Sequence, residues 1–438
     1  MSFGFGFGTP HAGVYAAPSG PFTADFTLGS VPAGISYTQA TPYTYFNSSG
    51  LLVTSTGNRF DYDPVTLAIK GLLIEPATTN LVLGSNPTTT SWAPATSTTL
   101  TGSASTGLDN TTSASQTSCT VSGVTTGIYI APSVGITTVS STVYTLSVYL
   151  AYSTSRYVYF EMFASSRNFT AIVVDLQTGT ITQTAVGQTT GGGTSITSGI
   201  DAANNATVTT SLGTGYGYYR VWFTYTANST VMSPRIGFVS AGTGNTFNAL
   251  SGIPTYTSTG TEKVNVYGMQ LEASSGPTSL IPTTTAAVAR GAGSIVNNGF
   301  SWYNASAGTA ICVFDVEASS AFAVAYPFSI GTATSNGIAA GTASSQAFGY
   351  FDANQTASLG SVTRNTQAKV GVAYDGSTNA AVLNGGTVQT AGTQASITTP
   401  TGLILGGNQG TTNFAGHIKS FTYYPSRLTN AQLQTLTT

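Results

Sequence analysis

Apolar and small polar residues alternate along most of the chain with a period of two, the pattern of strands that bury one face. Residues 143–150 place Tyr144, Leu146, Val148 and Leu150 on one side, with Val143, Thr145, Ser147 and Tyr149 on the other. Runs of β-branched and aromatic residues at 156–161, 171–175, 218–225 and 235–239 predict further strands, and 175–181 reads as a hairpin turned at Gly179. A second group of strands, at 310–317, 369–374, 380–383 and 402–405, contains Asn384 and Gly385, a strong hairpin signal. Many short strands between turn signals predict sandwiches or jelly rolls. Helical spacing is confined to the end of the chain, where Thr429 is placed to cap residues 430–436 with Leu433 and Leu436 on one face.

The expected chain is therefore all-β, in three regions. Residues 1–85 form an extended N-terminal anchor with short strands, 86–285 a jelly-roll sandwich and 300–438 a second sandwich, with the small-residue stretch 286–299 as linker. The Phe-Gly alternation that carries Phe3, Phe5 and Phe7 reads as an anchor that orders on a partner. No apolar run approaches the roughly 20 residues of a membrane helix. Cys119 and Cys312 are isolated from each other, and the first ten residues lack the basic cluster and apolar run of a signal peptide, so a reducing cytosol is the expected site of synthesis.

Charge narrows the chemistry. Lys and Arg number 12, Asp and Glu 14, and His 2, so only 6% of residues are charged where about 25% is usual. Hydrophobic residues at 41% argue against disorder, and a net charge of −2 gives no basic footprint for nucleic acid. Neutral β-modules bury large surfaces against identical copies without desolvating charge, so a homotrimer or other symmetric oligomer is expected.

The best catalytic pair is Asp315 and Glu317, which share a face of one strand about 6.6 Å apart, near the spacing of glycosidase carboxylates. A third acid nearby is missing from the sequence pattern, so the pair is expected to be structural. Asp61 and Asp63 offer too few oxygens for calcium and read as a turn with Pro64. His11 and His417 fall in separate regions, which leaves a serine nucleophile without an evident base. No catalytic residue, metal ligand or cofactor is assigned, and the chain is expected not to be an enzyme. Sugar binding needs exposed rings, and the candidates are Tyr218, Trp222, Trp302 and Tyr303; in the 218–225 strand one face must be core, so at most half of its rings reach a ligand.

Two separated stretches carry a family likeness. RFDYDP at 59–64, GLLIEPATTNL at 71–81 and Trp92, then VYGMQLE at 266–272, TSLIPT at 278–283 and Arg290, resemble the opening and closing of a jelly-roll, carbohydrate-binding-like module in structural proteins of tailed bacteriophages. That family more often has Arg where Thr78 stands and Asp near Gly293, so a salt bridge joining those positions is not expected here. Glu75, Asn80, Gln270, Glu272 and Arg290 are its structural motif residues in this chain. VAYDG at 372–376, LILGG at 403–407, FAGHIKSFTYYP at 414–425 and RLTNAQL at 427–433 resemble a concanavalin/laminin-G-like sandwich. The resemblance implies a virion-exterior protein, a head decoration or fibre, partnered by other virion proteins and by itself, with host-surface glycan as a further partner. A tail-fibre receptor-binding protein is the alternative, and a polysaccharide depolymerase ranks behind it.

Overall fold

A computed structural model describes residues 21–438 apart from 40–42, 56, 166–167, 188–196, 298, 300, 318–324, 333–335, 344–345, 352–353, 392–401 and 409–413. The proposed anchors Phe3, Phe5 and Phe7 and the histidine at 11 lie outside the described residues. The chain is all-β, as its alternation predicts: nearly every element is a strand, and the strands form two sandwiches.

One sandwich is built from both ends of the chain. Its eight-stranded sheet runs through Asn379–Leu383, Ala368–Tyr374, Gly308–Val316, Gly416–Tyr424, Ile69–Ile74 and Phe60–Tyr62, and Phe22–Asp25 adds to Gly416–Tyr424. The facing sheet places Ile35–Thr38 beside Ser294–Asn297, followed by Leu403–Leu405, Ala325–Thr332, Asn336–Ala343 and Gln346–Phe351. Between them lies a core that includes Phe26, Leu72, Ile74, Phe314, Phe328 and Phe421. The N-terminal strands are thus structural members of the terminal sandwich, which corrects the expectation of a separate region ending at residue 85. Their partners lie hundreds of residues away, and a local pattern carries no information on such pairing.

The second sandwich is inserted into the first. A six-stranded sheet includes Thr197–Ala203, Tyr218–Thr226, Val143–Tyr152 and Glu262–Glu272, and it packs on a seven-stranded sheet centred on Tyr157–Ser165 and Val231–Phe238. Leu146, Val148, Val221, Phe223, Phe160 and Ile236 fill the space between. The insertion is closed at its neck by a two-stranded ladder, Thr78–Asn80 against Val288–Arg290. The small-residue stretch 286–299 is therefore two strands and not a linker, since Ser294–Asn297 also pairs with Ile35–Thr38.

The neck is held by buried polar groups. Glu75, fully buried, accepts hydrogen bonds from Ser279 N (2.5 Å) and Ser279 Oγ (2.6 Å), and pairs with Arg59 and with Arg290 (3.0 Å). Burial pushes its carboxyl up, yet Arg290 and Arg59 outweigh burial and hold it down at about 2. Beside it, Glu272 accepts from Thr278 N (2.8 Å) and Gln270 Nε2 (2.7 Å), while Asn80 Nδ2 donates to Met269 O and Ile281 O. The opening and closing stretches singled out in the sequence meet here.

Local signals hold elsewhere. Asn384 and Gly385 both take positive φ (49° and 65°), as a tight hairpin turn requires. Thr429 and Gln432 form a capping box on the helix Asn430–Thr437. A second helix, Ala206–Leu212, is capped by Asn205 and was not foreseen, because its ATVTTSL sequence is rich in β-branched residues.

Candidate functional site

Alternation along Gly308–Val316 turns Phe314 and Val316 into the core and Asp315 outward. The cross-strand partner of Asp315 is His417, which stands beside Leu73 on the next strand, and one strand further Asp61 pairs with Gly71. Two glycines make this row possible. Gly71, at φ +119°, has room for no Cβ because Ile418 O would lie 2.5 Å from it, and a Cβ at Gly416 would collide with Asp315 O.

The outer face of this sheet would be wet in an isolated sandwich. Here Leu433 of the helix Asn430–Thr437 covers one part, Tyr43–Phe46 and the Asp201–Arg220 side of the inserted six-stranded sheet stand by another, and a charged cluster results. His417 Nδ1 lies 2.7 Å from Asp315 Oδ1, and Nε2 lies 2.9 Å from Asp61 Oδ2 and 3.8 Å from Glu317 Oε1. Lys70 Nζ donates to Glu317 Oε1 at 2.8 Å and stands 3.8 Å from Asp61 Oδ2. Phe46 N donates to Asp61 Oδ1 (2.6 Å).

His417 has no exposed surface, and burial alone would push its pKa down; Asp315 and Glu317 more than offset this and raise it to about 9. The imidazolium thus donates from both nitrogens. Burial opposes the charge of Lys70 as well, and Glu317, Asp61 and Asp315 raise its pKa; reciprocally, Lys70 and then His417 hold Glu317 below the usual carboxylate range against its burial. Asp61, Glu317 and His417 have the donor set of a metal site. The Lys70 ammonium already sits between the two carboxylates, and both imidazole nitrogens are taken, so the arrangement fits an ion network and not a metal centre.

Asp315 and Glu317, read from the sequence as two strand-face acids, therefore join the Asp61 of the supposed turn and the supposedly separate His417. Sequence reasoning missed this convergence. The only available signal was that a charge-poor chain places acids and a histidine inside three strongly apolar strand motifs.

Across the interface, Asp201 of the inserted sandwich receives both Nη atoms of Arg364 (2.6 and 2.9 Å), Asn365 Nδ2 (3.1 Å) and Trp222 Nε1 (3.2 Å). Arg364 stacks over Trp222 at 5.0 Å and donates from Nε to Glu317 O. Register lines up Asp201, Arg220, Tyr149 and Tyr267 across four adjacent strands. Between the two sandwiches this leaves a cleft of about 130 Å³ whose lining includes Phe46, Tyr62, Asp63, Lys70, Arg220 and Asn365, together with Asp61, Asp201 and Tyr149. Two larger grooves on the inserted sandwich, about 470 and 550 Å³, are lined by aliphatic and by Ser, Thr and Asn side chains and contain no ionisable group. The cleft is therefore the better candidate site.

The rings expected to meet a sugar are core. Tyr218 is fully buried and donates its hydroxyl to Thr106 O (2.8 Å). Trp222 is 5% exposed beneath Arg364. Trp302, at 8%, stacks on Phe22 with centroids 4.6 Å apart, and Tyr303 packs against Trp302 and Tyr423. At most half of the rings of 218–225 are expected to reach a ligand, and Tyr218 and Trp222 do not: one face of the strand meets the facing sheet, and these two rings on the other lie under the helix Ala206–Leu212, the hairpin Tyr43–Phe46/Leu52–Ser55 and Arg364.

No protein-family model and no curated protein matches the chain. Among solved structures, part of it is similar to the carbohydrate-binding module CBM40 of a Ruminococcus gnavus IT-sialidase bound to α2,3-sialyllactose, at 15% identity and a TM-score of 0.25, covering 31% of this chain and 83% of the other. Domain 4 of AbnA, a GH43 arabinanase of Geobacillus stearothermophilus in complex with arabinotriose, matches at 14% identity and a TM-score of 0.28, covering 34% and 73%. A Trypanosoma rangeli sialidase mutant displaying trans-sialidase activity matches at 12% identity and a TM-score of 0.26, over 33% of this chain and 26% of that one. The expectation that the chain is not an enzyme does not stand, since sialidases are among the similar structures; each likeness covers 30–33% of this chain, and no activity of theirs is carried over to it.

Proposed function

We propose that this protein is a double-sandwich component displayed on the exterior of a tailed-phage particle and that the cleft between its sandwiches holds a sugar residue of a surface glycan. The observation that carries the binding part is the convergence of Phe46 and Tyr62 with Asp63, Arg220 and Asn365 around the cleft. Sugar recognition needs this pairing of ring faces with planar polar groups that hold hydroxyls. The particle part rests on the likeness of the neck-forming stretches to phage structural modules. Made in the host cytoplasm, the chain would assemble there with itself and with other virion proteins. A head decoration or fibre is the first reading of that location, and a tail fibre is the alternative.

The test is a glycan array probed with the full chain, repeated with Asn365→Ala and Tyr62→Ala. Binding of a discrete glycan set, weakened at least tenfold by either change, is the expected result; a bare array, or binding indifferent to both changes, removes the cleft from consideration. Antibody labelling of intact particles tests the location.

A second reading, cleavage of the bound glycan, is favoured by one observation. Asp61 and Lys70 both reach the cleft while Asp61 is hydrogen-bonded to His417 behind it, so a proton has a route between the buried cluster and a bound residue. Release of reducing ends from a bound polysaccharide, lost in Asp61→Asn, is its signature.

A further inference from the structure

Six of the seven described arginines have a carboxylate oxygen within 3.6 Å: Arg59, Arg156, Arg235, Arg290, Arg364 and Arg427. Arg220 is the exception. It is only 8% exposed, it lines the cleft, and among the described residues it has no carboxylate partner. Its bonds all leave from Nη2, to Ser147 Oγ (3.2 Å) and Thr278 O (2.5 Å). Nε is buried with no partner. The guanidinium is held over the Tyr149 ring, 5.4 Å from its centroid, so it does not swing away to find one. A buried cation without a counter-ion is costly, and an arginine does not escape the cost by losing its proton.

The acids of the cleft are otherwise engaged. Asp201, the cross-strand neighbour of Arg220, is clamped by Arg364. Asp61 is held by His417 and Phe46 N, and Asp63 caps its own turn by accepting from Val65 N (2.9 Å) and Thr66 N (2.7 Å). Lys70 is spent on Glu317. The one unsatisfied charge facing the cleft is positive.

We infer that the cleft takes an anionic group, the carboxylate of an acidic sugar, on Arg220. This deepens the proposed function and rests on it. Asp63, at the rim, opposes such a ligand and so tunes selectivity between acidic and neutral residues.

The experiment measures binding of two oligosaccharides of equal length, one ending in glucuronic acid and one in glucose, to the full chain by calorimetry. The acidic one is expected to bind about tenfold tighter or more, as a charge-assisted hydrogen bond allows, with the advantage shrinking as salt rises. Arg220→Gln is expected to abolish the advantage, weakening acidic binding far more than neutral binding, and Asp63→Asn to enlarge it. Equal affinities in the unaltered chain, or an advantage that survives in folded Arg220→Gln, overturn the inference and leave the proposed function standing. Should Arg220→Gln not fold, the Asp63→Asn result decides, an unchanged ratio being the overturning one. If neither oligosaccharide binds, the glycan array decides the proposed function. Free glucuronate then tests the anion site alone: thermal protection that glucose does not give supports it, and none overturns it.

Discussion

At the scale of single residues, two buried groups make stability depend on pH, and in the same direction. His417 titrates near 9 in the folded chain against an ordinary 6.5. Its contribution is complete below about pH 6.5 and is lost as pH rises through 9, to the extent of about 3 kcal/mol. Urea titrations from pH 6 to 10 are expected to show a gap between the wild type and His417→Asn that narrows across this window. Glu161 is fully buried, neither of its oxygens has a hydrogen bond, and Arg235 stands 3.5 Å away. Burial raises its carboxyl from 4.5 to about 8, which Arg235 only partly counters. The folded chain therefore holds this proton where the unfolded one has lost it, and stability falls between about pH 4.5 and 8. Glu161→Gln is expected to flatten that limb and to melt higher than the wild type above pH 8. Each residue of the His417 cluster was visible in the sequence as an oddity inside an apolar strand. Their meeting was not, because Asp315 and His417 are 102 positions apart and only strand register brings them together.

At the scale of elements, alternation located most strands and capping chemistry located the last helix, since both are written in neighbouring residues. What it did not reveal was ownership. Phe22–Asp25, Phe60–Tyr62 and Ile69–Ile74 read as local pieces of an anchor, yet they complete the sheet around Gly416–Tyr424. A fragment of residues 300–438 thus lacks the strands that cover Phe314, Ile418 and Phe421, and it is expected to be aggregated or molten by circular dichroism and proteolysis. A fragment of 76–291 keeps both its sheets and its neck ladder and is expected to unfold cooperatively. The opposite pattern, a stable C-terminal fragment and an unstable insert, would refute the assignment of strands to sandwiches.

At the scale of the molecule, Arg364 and Asp201 connect the sandwiches beside the ion network of Asp61, Lys70, Asp315, Glu317 and His417. Both side chains are partly exposed, at 21% and 26%, so the coupling between Arg364→Gln and Asp201→Asn in a double-mutant cycle is expected to be on the order of 1 kcal/mol. A coupling near zero would mean that the neck alone orients the two bodies. The insertion also fixes an order of events at the ribosome. The inserted sandwich is complete once residue 290 has emerged, whereas Phe22–Asp25 must wait for Gly416–Tyr424. Until then the host sandwich has some of its strand pairs, such as Phe60–Tyr62 with Ile69–Ile74, but not its central strand, and it closes in a late step dominated by contacts remote in sequence. A ribosome that stalls before residue 424 leaves those edges open, so the yield of folded chain depends on synthesis passing that strand.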